Sequence, residues 1–376
     1  MATKGWAAPE AGHVYDRARE LCQQMGETPQ LFPVLCGLAA FYQVRGELLI
    51  TRELGEQLFS LAQSVQDSAL LLQAHQWLGS TLLHMGEPVA SKEHLEQGIA
   101  LYNPQQHRSL ASLAEGYPEV TPRSLVAVNL WVLGYPDQAL KRAHEALALA
   151  QELSHPFVLG FAFTWAAVLH LCRREGHLAQ ERAEATIALA SEQEFLLLLA
   201  AGTIFRGSAL TEQGQEEEGM AQMRQGLTTY QATGAEVGRQ WFLAMLAEAY
   251  GKVGQVEEGF QVLAEATAVM RKTEQHHWEA ELYRIKGELV LQSQVESHKS
   301  KVEEAEAWFL KALAVARKQQ AKSLELRAVM SLSRLWQQQG KKDEARQLLA
   351  EIYGWFTEGF DTKDLQEAKA LLEELS

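Results

Sequence analysis

The chain has 376 residues, with 34 basic against 48 acidic side chains and a net charge of −14. This balance argues against nucleic acid, which needs a basic stripe, and against an anionic membrane surface, which attracts polybasic segments. Apolar residues at 47% and charged residues at 22% are typical of a folded protein. Scarce proline and abundant leucine, alanine and glutamate favour helices, so the sequence predicts an all-α protein.

Cysteine content and hydropathy indicate the compartment. Cys22, Cys36 and Cys172 are too few and too scattered for a disulfide framework or a zinc site, and we expect buried thiols in a reducing environment. No apolar stretch approaches the ~20 residues of a membrane span, and the N-terminus lacks the apolar core of a signal peptide. These features favour the cytoplasm.

Along the chain, a glycine in a short polar turn recurs about every 40 residues. The series comprises Gly46, Gly86, Gly134, Gly176, Gly214, Gly254 and Gly340. Glycine suits this position because helices commonly end on a left-handed residue, where the absence of Cβ removes a steric cost. Each turn lies between two helical patterns, so each unit is predicted to be a helical hairpin.

The residues around each turn indicate the type of hairpin. Seven residues before the glycine a small residue recurs, as at Gly79, Gly207 and Ala247, although the fourth unit has Leu169 there. Five residues after it another small residue recurs, as at Gly219. This register is the tetratricopeptide pattern. We therefore expect a right-handed superhelical solenoid of about eight hairpins, each of ~40 residues.

Departures from the period mark the predicted boundaries. Residues 1–30 are interpreted as a helix that completes an upstream repeat, residues 31–356 as the repeats, and residues 357–376 as a helix that caps the stack. Prolines break helices in 103–122, which is expected to be an irregular excursion. A polar loop is expected at 292–302.

Motifs for catalysis and cofactor binding are absent from the sequence. It contains no GxxxxGK[ST] phosphate loop, no GxGxxG after a strand and no HExxH motif. The densest group of potential metal ligands is His276, His277, Glu279 and Glu281, for which a solvated helix start is the simpler interpretation. We therefore expect no enzyme activity, no cofactor and no metal site.

The candidate binding residues lie on the first helix of each hairpin, which lines the concave side of a tetratricopeptide superhelix. Counting back from the turn glycines predicts a ligand- or peptide-binding face made of Gln73, Gln76, Ser124, Trp131, His170, Arg173, Trp241, Glu248, Glu281, Arg284, Arg327 and Arg334. This mixture of amides, aromatic rings and paired charges suits an extended peptide or a helix, with the tryptophans as candidate anchors. Arg327 and Arg334 are candidates for holding a carboxylate; salt bridges to Glu281 or Glu288 are the alternative.

Several sequence strings go beyond the generic repeat, among them TRELGEQLFSLAQ, HLEQGIALYNPQQHR, LAEAYGKVGQVEEG and SLELRAVMSLSRLWQQQGKKDEARQLLAEIYGWFTEGFDT. From about Ala7 to Ser376 they resemble the C-terminal repeat region of large bacterial signalling proteins. In that family a class III nucleotide cyclase or another effector precedes a STAND/AAA-type ATPase and then the repeats. The resemblance implies a sensor or scaffold arm at the carboxyl end of a longer parent.

Two functions stay open from the sequence. The first is a non-catalytic interaction module that binds a protein, a peptide or other domains of a longer parent in its concave groove. The second is an arm that senses a small-molecule effector, similar to that of maltose-type transcription activators. A deep apolar pocket closed by the 103–122 excursion would favour the second function, and an open polar groove would favour the first.

Overall fold

The computed structural model describes residues 31–103, 119–293 and 298–376, together with Val14, Arg17 and Glu20. These residues form seventeen helices, and none of them lies in a strand. The helices are α1 (Leu31–Val44), α2 (Leu48–Val65), α3 (Ser68–His84), α4 (Pro88–Leu101), α5 (Thr121–Val132), α6 (Pro136–Leu153), α7 (Pro156–Cys172), α8 (Gly176–Glu192), α9 (Leu196–Glu212), α10 (Glu216–Ala232), α11 (Arg239–Lys252), α12 (Val256–Thr273), α13 (Glu279–Gln292), α14 (His298–Gln319), α15 (Lys322–Gln338), α16 (Lys342–Tyr353) and α17 (Lys363–Glu374).

The helices pair in sequence as eight hairpins, from α1–α2 to α15–α16, and α17 follows the last pair. Each odd-numbered helix packs on its successor and on the next odd-numbered helix, so the first helices of the hairpins form a continuous inner layer. Composition explains the layering: α3 is nearly uncharged all round, whereas α6 has one apolar stripe and a polar opposite face. The prediction of an all-α solenoid of about eight hairpins is confirmed.

Close contact within the hairpins depends on glycine. In the fifth hairpin, a Cβ on Gly207 would lie 2.5 Å from the Gly219 carbonyl oxygen, and a Cβ on Gly219 would lie 2.5 Å from the Gly207 carbonyl oxygen. Real Cβ atoms essentially never come closer than 3.0 Å to such a neighbour. The small residues before and after the turn are therefore what allow α9 and α10 to pack backbone against backbone.

The turns follow the predicted pattern in every hairpin with a predicted turn glycine except the fourth. The other six turn glycines have the left-handed φ that glycine favours. In the fourth hairpin Arg174 has that conformation, with φ of 59°, and Gly176 is the first residue of α8. Seven residues before Arg174 is Ala167, which is fully buried. The apparent exception at Leu169 arose from counting from the wrong residue.

Successive turns of the superhelix contact each other. The end of the first helix in each of the first three hairpins meets the junction that follows a hairpin four units later, at a chain separation close to 192 residues. The hydrogen bonds join the Val44 carbonyl to the Glu236 and Val237 amides, the His84 carbonyl to the His277 amide, and the Trp131 carbonyl to the Ser323 hydroxyl. The fourth hairpin contacts the later turn differently, because the Cys172 carbonyl accepts a hydrogen bond from the Arg327 guanidinium in α15, 155 residues further along the chain. The interior of the superhelix is thus enclosed by two turns.

The segment before α17 belongs to the same set of contacts. The Glu358 carboxylate accepts hydrogen bonds from the Asp137 and Gln138 amides, at 3.0 and 3.1 Å, and the Gly359 amide donates to the Asp137 carboxylate. Amides at a helix start have no partner within the helix and carry partial positive charge, so a carboxylate stabilises them. The C-terminal segment therefore caps α6 across the turns.

Several sequence-based interpretations concern residues outside the described part of the chain. These are most of 1–30 including Cys22, residues 104–118 of the expected excursion, and residues 294–297 of the expected polar loop. The division into an upstream helix, repeats and a cap stays a prediction. In the described ranges, no helix combines the length and the apolar character needed to cross a membrane.

Candidate functional site: the interior of the superhelix

Two stacked tryptophans divide the interior of the superhelix into two pockets. Trp241, near the start of α11, and Trp278, just before α13, have ring centroids 4.6 Å apart and planes 9° from parallel. Both rings line a cavity of about 250 Å³ on one side and a pocket of about 180 Å³ on the other. Trp131 supports the pair from α5, with its ring centroid 6.1 Å from that of Trp278.

The larger pocket is an apolar cavity with aromatic walls. Its rings come from both turns of the superhelix: Trp77, Phe157, Phe161, Trp165, Phe205, Tyr230, Trp241, Phe242 and Trp278. Among the described residues, none that lines it is acidic or carries a lysine or arginine charge. The rings contact one another edge-on or tilted, as between Phe161 and Trp165 or Phe205 and Phe242, geometries that aromatic pairs favour. The cavity therefore suits an uncharged, apolar occupant.

Three side chains that line this cavity each keep a buried polar atom without a partner. His277 is 5% exposed, and its Nδ1 has no hydrogen bond. Burial, and then the neighbouring His84, lower the pKa of His277 to about 3, so the ring is neutral at neutral pH. Gln240 is 1% exposed and its Oε1 has no partner. Gln43 donates to the Ser80 hydroxyl and leaves its own Oε1 unpaired.

The smaller pocket is charged but balanced. It is lined by five basic residues, Arg174, Lys252, Arg284, Arg327 and Arg334, and by five acidic residues, Glu212, Glu248, Glu281, Asp364 and Glu367. Arg284 binds Glu281 at 2.8 Å and Glu248 at 2.7 Å, while Arg327 binds Asp364 at 2.8 Å. The groups neutralise one another, so the pocket presents paired charges to any ligand.

Electrostatics keeps the carboxylates of this pocket ionised. Burial raises the pKa of Glu248, but the charges of Arg284 and Lys252 outweigh it and bring the pKa to about 2. Burial likewise raises the pKa of Asp364, and the charges of Arg327 and Arg174 lower it below its ordinary value. Arg327 also donates to the Cys172 carbonyl, so this network links α7, α15 and the start of α17.

Seven of the twelve predicted binding residues line the two pockets. Gln76 borders the apolar cavity, Trp241 borders both, and the charged pocket takes Glu248, Glu281, Arg284, Arg327 and Arg334. The proposed carboxylate-holding arginines are already engaged, Arg327 with Asp364 and Glu281, and Arg334 with Glu367. Arg327 therefore forms the salt bridge to Glu281 that was given as the alternative to carboxylate binding.

The other five predicted residues lie elsewhere. Gln73 accepts a hydrogen bond from the Cys36 thiol, Ser124 is buried on α5, and Trp131 packs beneath the Arg327 guanidinium. His170 and Arg173 are both held at the α7–α8 turn by the carboxylate of Glu175. None of the five lines either pocket.

His170 and Arg173 fall at the turn because their positions were counted from Gly176. Counting 13, 10, 6 and 3 residues back from Arg174, the residue with left-handed φ, gives Phe161, Thr164, Val168 and Leu171. The first three line the apolar cavity and Leu171 lines the charged pocket. The signal was present in the sequence, since Ala167 restores the expected small residue.

His277, Trp278 and Gln240 were missed for another reason. The sequence around His277 was interpreted as a solvated helix start, which is wrong for His277 and for Glu281, 5% and 6% exposed. The interpretation fits His276, which bonds to Glu274 and Glu279. Contact with the previous turn buries His277, and no local pattern reveals such a contact. Within the described ranges, no three potential metal ligands form a group.

The fold is similar to that of known helical-repeat proteins. A Rap protein complexed with competence and sporulation factor matches with a TM-score of 0.61 and 11% identity, over 100% of this chain and 96% of that one. Aspartyl phosphate phosphatase F from Bacillus subtilis matches with a TM-score of 0.49 and 10% identity, over 92% and 89%. A signal transduction ATPase with a tetratricopeptide repeat sensor from Pyrococcus horikoshii matches with 0.44 and 12%, over 98% and 55%.

No protein-family model matches the sequence, and no curated protein matches it either. At such low identities the structural likeness establishes the fold alone. The chain is a tetratricopeptide-like α-solenoid, as its repeat register predicted.

Proposed function

We propose that this chain is a non-catalytic interaction module that senses a compact apolar effector, and that it is the sensor or regulatory arm of a larger signalling protein. The observation that carries the proposal is the neutral aromatic cavity enclosed between two turns of the superhelix. Ligand sites are typically concave, mostly apolar and equipped with a few buried polar groups. The cavity has each of these properties.

The cavity offers a way for an effector to control shape. Its walls combine Val44 of the first hairpin and His84 of the second with Val237 and His277 from the junctions that follow four hairpins later. Hydrogen bonds between those turns, from the Val237 amide to the Val44 carbonyl and from the His277 amide to the His84 carbonyl, lie at the cavity edge. An occupant that touches both turns binds the closed superhelix more tightly than an opened one, so it shifts the population toward closure.

Closure of the superhelix would be detected by the domain or protein that the chain contacts. The resemblance to repeat regions that follow an ATPase and a cyclase leads us to propose that the domain that responds is another part of a longer parent protein. Closing the superhelix would change the surface offered to those domains, or to a separate protein partner. The coupling would be reciprocal, because a partner that favours the closed state also strengthens effector binding.

A second candidate is a peptide held along the interior. The charged pocket next to the tryptophan pair favours it, because an aromatic side chain in the cavity would place neighbouring charged groups beside Arg334, Glu248 and Lys252. The similar Rap protein was crystallised with competence and sporulation factor, which supports this candidate by analogy alone.

Capture of ligands from a bacterial lysate tests the proposal. The purified chain would be re-isolated, and released small molecules and polypeptides identified by mass spectrometry. Ala201→Leu and Ala40→Leu add side-chain volume to two different walls of the cavity, and Ala148→Leu makes the same change at an exposed position. We expect a small molecule that the unmodified chain and the exposed variant retain and both cavity variants lose.

Two other outcomes are informative. A polypeptide retained with the same variant pattern would favour the second candidate. Retention that survives both cavity substitutions, in variants that melt like the unmodified chain, would contradict a binding site in the cavity.

A further inference from the structure

We infer that the apolar cavity binds a neutral, flat aromatic molecule that carries an N–H or O–H hydrogen-bond donor. This inference rests on the proposed function and specifies its ligand. It follows from three properties of the cavity wall: its charge, its shape and the kind of polar atom left unpaired.

The charge of the wall excludes ions. In the part of the wall that the structure describes there is no carboxylate, lysine or arginine, and its histidines stay neutral because burial lowers the pKa of His84 to about 4 and of His277 to about 3. Moving an ion from water into such surroundings without a counter-charge is strongly unfavourable. The charged pocket beyond Trp241 and Trp278 offers no unpaired counter-charge, because its five basic and five acidic groups balance.

The shape of the wall favours a planar ring system. Trp241 and Trp278 present parallel ring faces, while Phe205 and Phe242 meet edge to face at 78° beside them. Stacked and edge-on geometries are the two that aromatic groups prefer, so a flat ligand finds both kinds of contact. A volume of about 250 Å³ lies near the lower end of the range for small-molecule sites.

The unpaired polar atoms select a donor. Nδ1 of His277 has no partner, and in a neutral imidazole this nitrogen can accept a hydrogen bond. Gln240 and Gln43 leave their carbonyl oxygens unpaired. A ligand N–H or O–H would satisfy one of these acceptors, and a ligand without a donor would leave them all unsatisfied.

Three naphthalenes of similar shape test each property by isothermal titration at pH 7.5. 2-Naphthol is neutral and has a donor, 2-methoxynaphthalene is neutral without one, and 2-naphthoate is an anion. We expect 2-naphthol to bind at one site, about tenfold or more tightly than the methyl ether, and 2-naphthoate to show no measurable heat.

Gln240→Met should lower the affinity for 2-naphthol about tenfold and leave the affinity for the methyl ether unchanged. Gln225→Met, on the exposed face of α10, should change neither affinity.

Results that contradict the assigned ligand class can be distinguished from results that contradict the proposed sensing function. Equal affinity for 2-naphthol and its methyl ether, stronger binding of 2-naphthoate, or no binding of any of the three would each overturn the assigned ligand class. If a lysate-derived molecule is nevertheless lost on Ala201→Leu, the sensing function stands with a different ligand. If 2-naphthol binds but hydrogen exchange of the Val237 and His277 amides is not slowed, the ligand class stands and control of closure fails.

Discussion

The contact between α9 and α10 gives the sharpest test of the repeat register. Gly207→Ala would place a Cβ 2.5 Å from the Gly219 carbonyl oxygen and 2.9 Å from the Met223 amide nitrogen. Both are backbone atoms of α10 and cannot rotate away, so the two helices would have to separate by about 0.5 Å to reach the 3.0 Å limit. Overpacking that moves backbone costs up to about 3 kcal/mol.

Helix propensity acts in the opposite direction. Alanine is favoured over glycine inside a helix by about 1 kcal/mol, so the net destabilisation expected for Gly207→Ala is about 2 kcal/mol. Gly98→Ala in α4 is a matched control, because its Cβ would meet neighbours at 3.4 and 3.5 Å, which is ordinary contact distance. That variant should keep the propensity gain and be more stable by up to about 1 kcal/mol.

Urea unfolding followed by far-ultraviolet circular dichroism measures both changes. The midpoints should move in opposite directions with unchanged slopes, which identifies a change in stability alone. The reasoning is refuted if Gly207→Ala is at least as stable as the unmodified chain, or if the two variants shift in the same direction by similar amounts.

Three further predictions concern charge. Arg327→Ala should lower the free energy of unfolding by about 3 kcal/mol, because it removes one of the two arginines that hold each of the buried carboxylates of Asp364 and Glu281. Arg334→Ala, at a half-exposed ion pair, should cost less than about 1 kcal/mol; similar urea midpoints for the two would contradict the described network. Two adjacent histidines should have opposite effects on how the stability of the fold depends on pH. The lowered pKa of His277, about 3, means that the unfolded state alone takes up a proton near pH 5, which costs about 2 kcal/mol of stability relative to pH 7.5. The pKa of His276 is raised, first by its hydrogen bond to Glu279, so its contribution is present below pH 6.5 and lost as pH rises through the folded pKa. His277→Gln should flatten the acid loss and His276→Gln should steepen it, and urea midpoints that change in parallel would argue against this assignment. Cys172 should resist iodoacetamide at pH 8 until the chain unfolds, since burial raises the pKa of its thiol and shields it; peptide mass spectrometry showing native-state labelling at the unfolded rate would exclude the buried position.

The sequence predicted what repeats within each hairpin. Trp241 and Arg327 each lie 13 residues before their turn glycine, Glu248 and Arg334 each lie six residues before theirs, and all four line the interior. This success has a local cause, because each hairpin has the same internal geometry. The misplacement of His170 shows the dependence on register: one turn carried by Arg174 moved the counted positions by two residues.

Contacts between turns of the superhelix could not be predicted from the sequence. Whether His277 meets His84 depends on small rotations between neighbouring hairpins. These rotations accumulate over four units before the two turns of the superhelix come into contact. The charged residues of the inner face were identified, and Glu281 was named as an alternative partner of Arg327, but the partners on α17 were not identified. Asp364 pairs with Arg174 and Arg327 only because the superhelix brings α17 back to α7. The enclosed cavity is a product of this long-range geometry.

The contacts between turns also bear on how such a chain can grow. Open solenoids lengthen or shorten by duplicating or deleting units, because each unit touches only its neighbours. Here the carbonyl of Val44 must meet the junction after the fifth hairpin, and that of Trp131 the junction after the seventh. Duplication of one inner hairpin would place every such carbonyl against a junction one unit too early. The number of repeats between the two turns is therefore fixed by the fold, as the number of blades is fixed in a closed propeller.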